Sequence, residues 1–359
     1  MPRPVLLLGA GRDPACGEFP LAGIAAVRPV LLVDAAPPAW ARPFLAGHLA
    51  ADPGRGEATA AAVTRYAARH AVRGVLTLAR HHLVAAARIA GQLGLPGVSP
   101  GTAAACADRA ELRSLLSRHR VPLADPWDPE PQPGGHDTPV DPRISAETVV
   151  LDGEVRITAL TRTTLGPPPA RQPLRHTVHA HDGLLHNPFL RQTVERTVRA
   201  TGISRGVLHI GLCLTARGPR VTDVAAHLPG DLIPLLVKRA TGVDLARAAA
   251  ELATGQVPDV APTRQRAAAI QFAYPAVTGH LAHLDLDPAA AHEPYAERMV
   301  LTQHVGNPVT AGPSAGAADR LAHWVAVAET PAQCEHALRR MARHLSAAVT
   351  PLARTPHAA

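Results

Sequence analysis

Two strand-like segments carry residue types that move protons or hold cations. The first, Gly206-Val-Leu-His-Ile-Gly-Leu-Cys-Leu214, contains His209. The second, Pro219–Ala226, contains Asp223, with His227 just beyond its end. If the two pair as a hairpin around Arg217-Gly218, alternation puts 209 and 211 on one face of the first strand and 221, 223 and 225 on one face of the second. Asp231 opens the helix-like segment Asp231–Ala240 that follows. Imidazole titrates near neutrality, so His209 and His227 suit proton transfer or pH-sensitive binding. Imidazole with a carboxylate also suits Zn²⁺ or Fe²⁺ better than Mg²⁺, and His176, His179 and His181 are close in sequence. Against a metal site, a chain with 20 histidines is expected to hold incidental clusters. A lone carboxylate, Asp223, is a poor Mg²⁺ site at cellular concentrations. There is no Gly-x-Ser-x-Gly elbow, and no cysteine has a context that would activate it.

The elements that must position these residues are α/β at the N-terminus and α+β beyond it. Residues 1–122 alternate short apolar runs, Val5–Leu8, Val30–Val33 and Val75–Leu78, with helical segments such as Glu57–Val72 and His82–Leu93. This pattern predicts a parallel, Rossmann-like sheet. Gly9-Ala-Gly11 lacks the third glycine of a dinucleotide fingerprint and predicts a tight turn. Residues 123–148 contain six prolines (126, 129, 131, 133, 139 and 142) and predict an irregular connection. From 149 to 262 the pattern gives a strand–turn–strand over Val149–Thr161 about Asp152-Gly153. It continues with a helix Asn187–Thr201 capped by Asn187 with Pro188 first, the hairpin above, and helices Asp231–Ala240 and Asp244–Leu252. Residues 263–359 form a small α+β lobe ending in an amphipathic helix, Ala332–Leu345, with the glycine-rich Gly306–Gly316 as a mobile connection.

Composition narrows the function classes. At 359 residues and 47% hydrophobic, the chain is long enough for more than one core. The net charge of +7 is spread over scattered arginines without interleaved aromatics, which argues against nucleic acid. The four cysteines form no metal-type pair and read as reduced thiols. No apolar run approaches a membrane span, so a cytoplasmic protein with no membrane partner is expected. A homodimer is compatible with the sequence.

The chain has one lysine, Lys238, against 35 arginines. The stretch around it, His227-Leu-Pro-Gly-Asp-Leu-Ile-Pro-Leu-Leu-Val-Lys-Arg-Ala-Thr-Gly-Val-Asp-Leu245, resembles the core of ATP-grasp carboxylate–amine ligases, in the L-amino acid ligase branch. Gly94-Leu-Pro-Gly-Val-Ser-Pro100 and Cys106-Ala-Asp-Arg109 resemble the domain that precedes that core. The resemblance implies a pre-ATP-grasp domain, an ATP-grasp core and a C-terminal lobe, with ATP and two Mg²⁺ ions activating a carboxylate as an acyl phosphate. It also implies departures. Arg109 stands where the family has a phosphate-reaching lysine, or is a solvated charge in a first helical turn. Gly211 stands for a glutamate, Asp223 for a glutamate, Ala225 for an asparagine and His227 for an arginine. Residues 123–148 are too few for the nucleotide-gripping subdomain of about four strands, and its lysine is absent.

The expectation is therefore a degenerate ligase-like protein without cofactor, in an amino-acid or peptide-like secondary pathway. It binds a small molecule or a partner protein around His209, Asp223, His227 and Asp231. The alternatives are an active ligase using ATP, with Arg109 on the phosphates and Asp223 on Mg²⁺, or an ATP-independent enzyme in the same cleft. The remaining alternative is that relaxed selection left these residues as ordinary surface or core positions.

Overall fold

A computed structural model describes residues 3–11, 14–124, 143–166 and 172–351. The chain divides into two compact units, 1–161 with 181–264 and 162–180 with 265–359.

The first unit begins with a parallel sheet of β1 Val5–Leu8, β2 Val30–Asp34, β3 Leu45–Ala50 and β4 Gly74–Thr77, in the order β3-β2-β1-β4. Every residue of β1 is buried, as expected of a strand inside a parallel sheet. The helices of this part are α1 Pro14–Ala25, α2 Gly56–Ala67, α3 Leu83–Gln92, α4 Pro100–Ala107 and α5 Arg109–Arg118; α2 and α3 pack on this sheet, while α4 and α5 pack into the core of the second one. Gly9 and Gly11 have φ of 70° and 79°, which makes Gly9-Ala-Gly11 the tight turn its composition predicts.

The second sheet of this unit is antiparallel. Strand β5 runs over Arg143–Leu151 and β6 over Glu154–Leu165. Asp152 and Gly153 between them both have positive φ, 53° and 86°, as a two-residue hairpin turn requires. Strand β5 starts six residues before the expected connection ends, because the chain is free of proline after Pro142 and alternates from Ile144 onward. At the start of that connection Leu123 bridges Val221, and residues 125–142 lie outside the described residues. Strand β6 runs on into the second unit, where β7 Pro173–His179 follows. The first unit then adds α6 Pro188–Thr201, β8 Arg205–Thr215, β9 Gly218–Ala225, α7 Ile233–Thr241 and α8 Leu245–Ala253. Its sheet order is β6-β5-β8-β9.

One face of β8 and β9 enters the core through Leu208, Ile210, Leu212, Val221, Val224 and Ala226. The register between the strands slips by one residue, pairing Leu212 with Val221 but Gly211 with Asp223, so Thr222 is the extra residue of a bulge. This corrects the alternation read from sequence. Val221 faces the core, while 209, 211, 223 and 225 share the opposite face.

The α6 boundaries follow their local signals. Asn187 accepts hydrogen bonds from the N–H groups of Phe189 and Leu190, Pro188 leads the helix, and Gly202 closes it in the left-handed region. Asn187→Ala is expected to cost about 1 kcal/mol, measured by urea unfolding. A second correction concerns α7, which begins at Ile233 and not at Asp231. Asp231 and Leu232 take left-handed φ values of 55° and 58°, and Pro234, which needs no N–H partner, sits in the first turn.

In the second unit, β10 Ala267–Ala273, β11 Gly279–Leu286, β12 Ala296–Leu301, β13 Pro308–Val309, β14 Ala322–Ala328, α9 Pro331–Met341 and β15 Leu345–Pro351 make two sheets. One has the order β12-β14-β10-β7 and the other β13-β11-β15. Helix α9 covers the first, packing Cys334, Leu338 and Met341 into a core with Trp324 of β14. The predicted final helix thus stops at Met341. Residues 345–351 pair instead along β11, whose open edge outweighs the helical pattern. Pro308 and Val309, inside the glycine-rich connection, pair with the same strand. Among the described residues, no helix is long and apolar enough to cross a membrane.

Candidate functional site

On the face of β8 and β9 turned away from the core, two ion pairs stand close together. Strand β5 pairs with β8 so that Glu147 lies directly opposite His209. The Glu147 side chain is fully buried and accepts hydrogen bonds from Ser145 Oγ at 2.8 Å and Thr161 Oγ1 at 2.9 Å. His209 Nδ1 is 2.9 Å from its other oxygen. An ionised carboxylate only accepts, so Nδ1 carries the proton. That leaves Nε2 as the free end of a side chain that is 25% exposed.

Burial works against both charges. For Glu147 it is the largest single influence and opposes ionisation. The His209 charge and the hydrogen bonds from His209, Ser145 and Thr161 together outweigh it and hold the carboxyl below its usual range. Burial likewise opposes protonation of His209. The attraction and hydrogen bond of Glu147, then the charges of Asp223 and Asp231, overcome it and push the imidazole up.

Asp223 sits opposite Gly211, one step along the same face. Arg80 reaches it with both terminal nitrogens, Nη1 to Oδ2 at 3.2 Å and Nη2 to Oδ1 at 3.5 Å. Nη2 also donates to the carbonyl oxygen of Cys106 at 2.9 Å, which fixes the guanidinium. Arg80 lies three residues beyond β4, at the carboxyl end of a parallel strand, where α/β sheets place their ligand sites.

His227 behaves oppositely to His209. Its Nδ1 is 2.8 Å from the carbonyl oxygen of Leu228, which can only accept, so Nδ1 donates and Nε2 keeps a bare lone pair. Nε2 is sealed from solvent and has no hydrogen-bond partner among the described residues. Burial lowers the His227 pKa most. The Leu228 carbonyl resists this, the Arg80 and His209 charges add to it, and Asp223 opposes it. The two imidazoles are thus pushed in opposite directions, His209 toward its protonated form and His227 toward its neutral one.

Of the residues singled out from sequence, His209, Asp223, His227 and Asp231 come together here. Asp231 acts on His209 from its left-handed turn, a backbone conformation rare for a residue with a side chain. Arg109 is exposed at the first position of α5, where Asp108 caps the helix, and the arginine on the cluster is Arg80 instead. Lys238 is tied to Asp244 at 2.7 Å. Glu147 and Arg80 were not found from sequence. Glu147 lay inside the segment read as a proline-rich connection, though the alternation from Ile144 could have revealed it. The signal for Arg80 was its place after β4. Among the described residues, no three His, Cys, Asp or Glu side chains are placed to hold a metal ion.

No protein-family model and no curated protein matches the chain. Solved structures do. The L-amino acid ligase from Bacillus licheniformis superposes with a TM-score of 0.80 at 16% identity, covering 97% of this chain and 99% of that one. The phosphoribosylglycinamide synthetase from Anaerococcus prevotii gives 0.77 at 13% identity, covering 97% and 100%. The N5-carboxyaminoimidazole ribonucleotide synthetase from Thermotoga maritima gives 0.68 at 12%, covering 97% and 100%. Identities this low report architecture alone, and by that architecture the chain has the ATP-grasp fold.

Proposed function

We propose that this chain has given up ATP-dependent ligation and uses the charged cluster around His209 to bind a small molecule. The observation that carries this reading is the Arg80–Asp223 ion pair. Asp223 is the one oxygen ligand left of the set the family resemblance implies, and its carboxylate is already neutralised. Gly211 and Ala225 supply no oxygen, and Lys238 is engaged elsewhere. Only 18 residues, 125–142, separate Ala124 from β5, fewer than a phosphate-gripping subdomain needs. Mg–ATP does not fit these residues. The name of the L-amino acid ligase points to an amino-acid or peptide-like ligand for this chain. A site in which Arg80, His209, Asp223 and Asp231 present both signs of charge suits a zwitterion.

The Glu147–His209 pair favours a second reading, an ATP-independent catalyst. A carboxylate that fixes Nδ1–H leaves Nε2 positioned to transfer a proton. His209→Asn would then abolish turnover while leaving ligand binding within a few-fold.

Titrating ATP with Mg²⁺ while following thermal unfolding tests the first reading. No rise in melting temperature is expected up to about millimolar ATP, where binding is worth only about 4 kcal/mol. Release of ADP or phosphate with any pair of amino acids, lost in Asp223→Ala, would overturn it.

A further inference from the structure

In the second unit two crossings join the sheets. Residues 287–295 lead from β11 in one sheet to β12 in the other, and residues 342–344 lead from α9, packed on the second sheet, back to β15 in the first. The crossings meet where the Asp287 N–H donates to the His344 carbonyl at 3.0 Å, one step beyond the β11–β15 ladder.

Their side chains are tied as well. His344 Nε2 is 3.0 Å from Glu293 Oε1, and His344 Nδ1 is 3.5 Å from Asp287 Oδ2. Arg340 Nε donates to the other Glu293 oxygen at 2.6 Å. Glu293 is 14% exposed and Asp287 58%, so Glu293 makes the stronger tie. Of the other charged groups on the elements around the ring, Glu297 and Arg298 of β12 line a cleft beside the crossing, Asp285 of β11 lies opposite Ser346, and Arg343 precedes His344 in the chain. The crossing forms one wall of that half-open cleft, which holds about 180 Å³ and is lined elsewhere by Ala296, Met299 and Met341. Only an imidazolium has two N–H groups. A neutral imidazole can donate to one carboxylate and must turn a bare lone pair toward the other.

We propose that His344 is a pH-sensitive latch: as a cation it ties the 287–295 crossing to the α9–β15 junction through both Asp287 and Glu293, and as a neutral ring it holds only one of them, so the crossing loosens over the cleft. The hydrogen bond to Glu293 acts most strongly on His344 and pushes it above its ordinary 6.5, with Asp287 adding to this and burial opposing it. The carboxyls are held low, Asp287 chiefly by the Ala289 N–H and Glu293 chiefly by His344 and then Arg340. The latch is therefore complete between about pH 4.5 and 6.5 and releases as pH rises through the folded value of His344. It lies in the unit that does not contain the His209 cluster and does not rest on the function proposed for that cluster.

Amide hydrogen exchange of the full-length protein, corrected for the intrinsic pH dependence of exchange, tests the latch. Protection over 288–296 should be level from about pH 5.5 to 6.5 and fall about two- to fivefold by about pH 8.5, the weight of an exposed ion pair, while β14 in the same unit keeps its protection. His344→Asn, neutral throughout, should show the lower protection at every pH and no fall. In the unmodified protein the His344 imidazole should titrate above 6.5 by NMR, and Glu293→Gln should bring the midpoint down, which reads the contact even if His344→Asn does not fold. A midpoint at or below 6.5, protection that is level through the titration, a fall shared equally by β14, or an equal fall in His344→Asn would each overturn the proposal.

Discussion

Glu147→Leu is expected to destabilise the first unit by about 3–5 kcal/mol, because it breaks a buried ion pair and leaves the groups that donate to the carboxylate without their acceptor. Glu147 is fully buried and holds three side chains, Ser145, Thr161 and His209, so the loss reaches beyond the ion pair. Urea unfolding of the single variants and of Glu147→Leu/His209→Leu separates the effects. The double variant should recover the part of the loss that belongs to the ion pair and leave the part that belongs to Ser145 and Thr161, whose acceptor is still missing.

The same pair gives stability a pH signature. His209 is raised in the folded state, so its contribution is complete below its ordinary value of 6.5 and fades as pH rises through the higher folded value. Glu147 is lowered, so its contribution is complete above its ordinary value of 4.5 and fades as pH falls through the lower folded value. Both contributions are full between about pH 4.5 and 6.5, and stability should decline on either side of that window. Glu147→Gln should flatten both slopes. Equal profiles in the two proteins would remove the pair from any account of this site.

The sequence was most informative where local chemistry decides the structure. Asp152-Gly153 is a hairpin turn because both positions need positive φ, and Asn187-Pro188 starts a helix because side chain and ring settle the first turn. Residues 209 and 223 meet because a short hairpin leaves them little choice. What could not be read depends on partners distant in sequence. The pairing of Arg80 with Asp223 spans 143 residues and brings the turn after β4 onto β9 within one unit. The bulge at Thr222 carries no glycine or proline mark of its own, and it alone moves Val221 to the core face. The strand at 345–351 exists because β11 has an edge to receive it, which its own composition does not announce.

That bulge also bears on whether the ligase site could be rebuilt. Gly211 stands where the family resemblance implies a magnesium-binding glutamate, and Gly211→Glu looks like a simple restoration. A Cβ at 211 would meet Thr222 Oγ1 at 2.7 Å, with the Asp223 N and Cβ at 3.5 and 3.6 Å. Thr222 is β-branched and stiff at χ1, so it yields only by changing rotamer or shifting the bulge. Gly211→Glu is therefore expected to cost about 1–3 kcal/mol from overpacking. It would also set a second carboxylate beside Asp223, whose charge Arg80 already neutralises. Thr222→Ala in the same chain should relieve the contact and return most of the lost stability, while Mg²⁺ still gives no rise in melting temperature. Wild-type stability in Gly211→Glu, or a Mg²⁺-dependent rise in either variant, would mean that β9 can reopen and that only the missing glutamate kept the metal out.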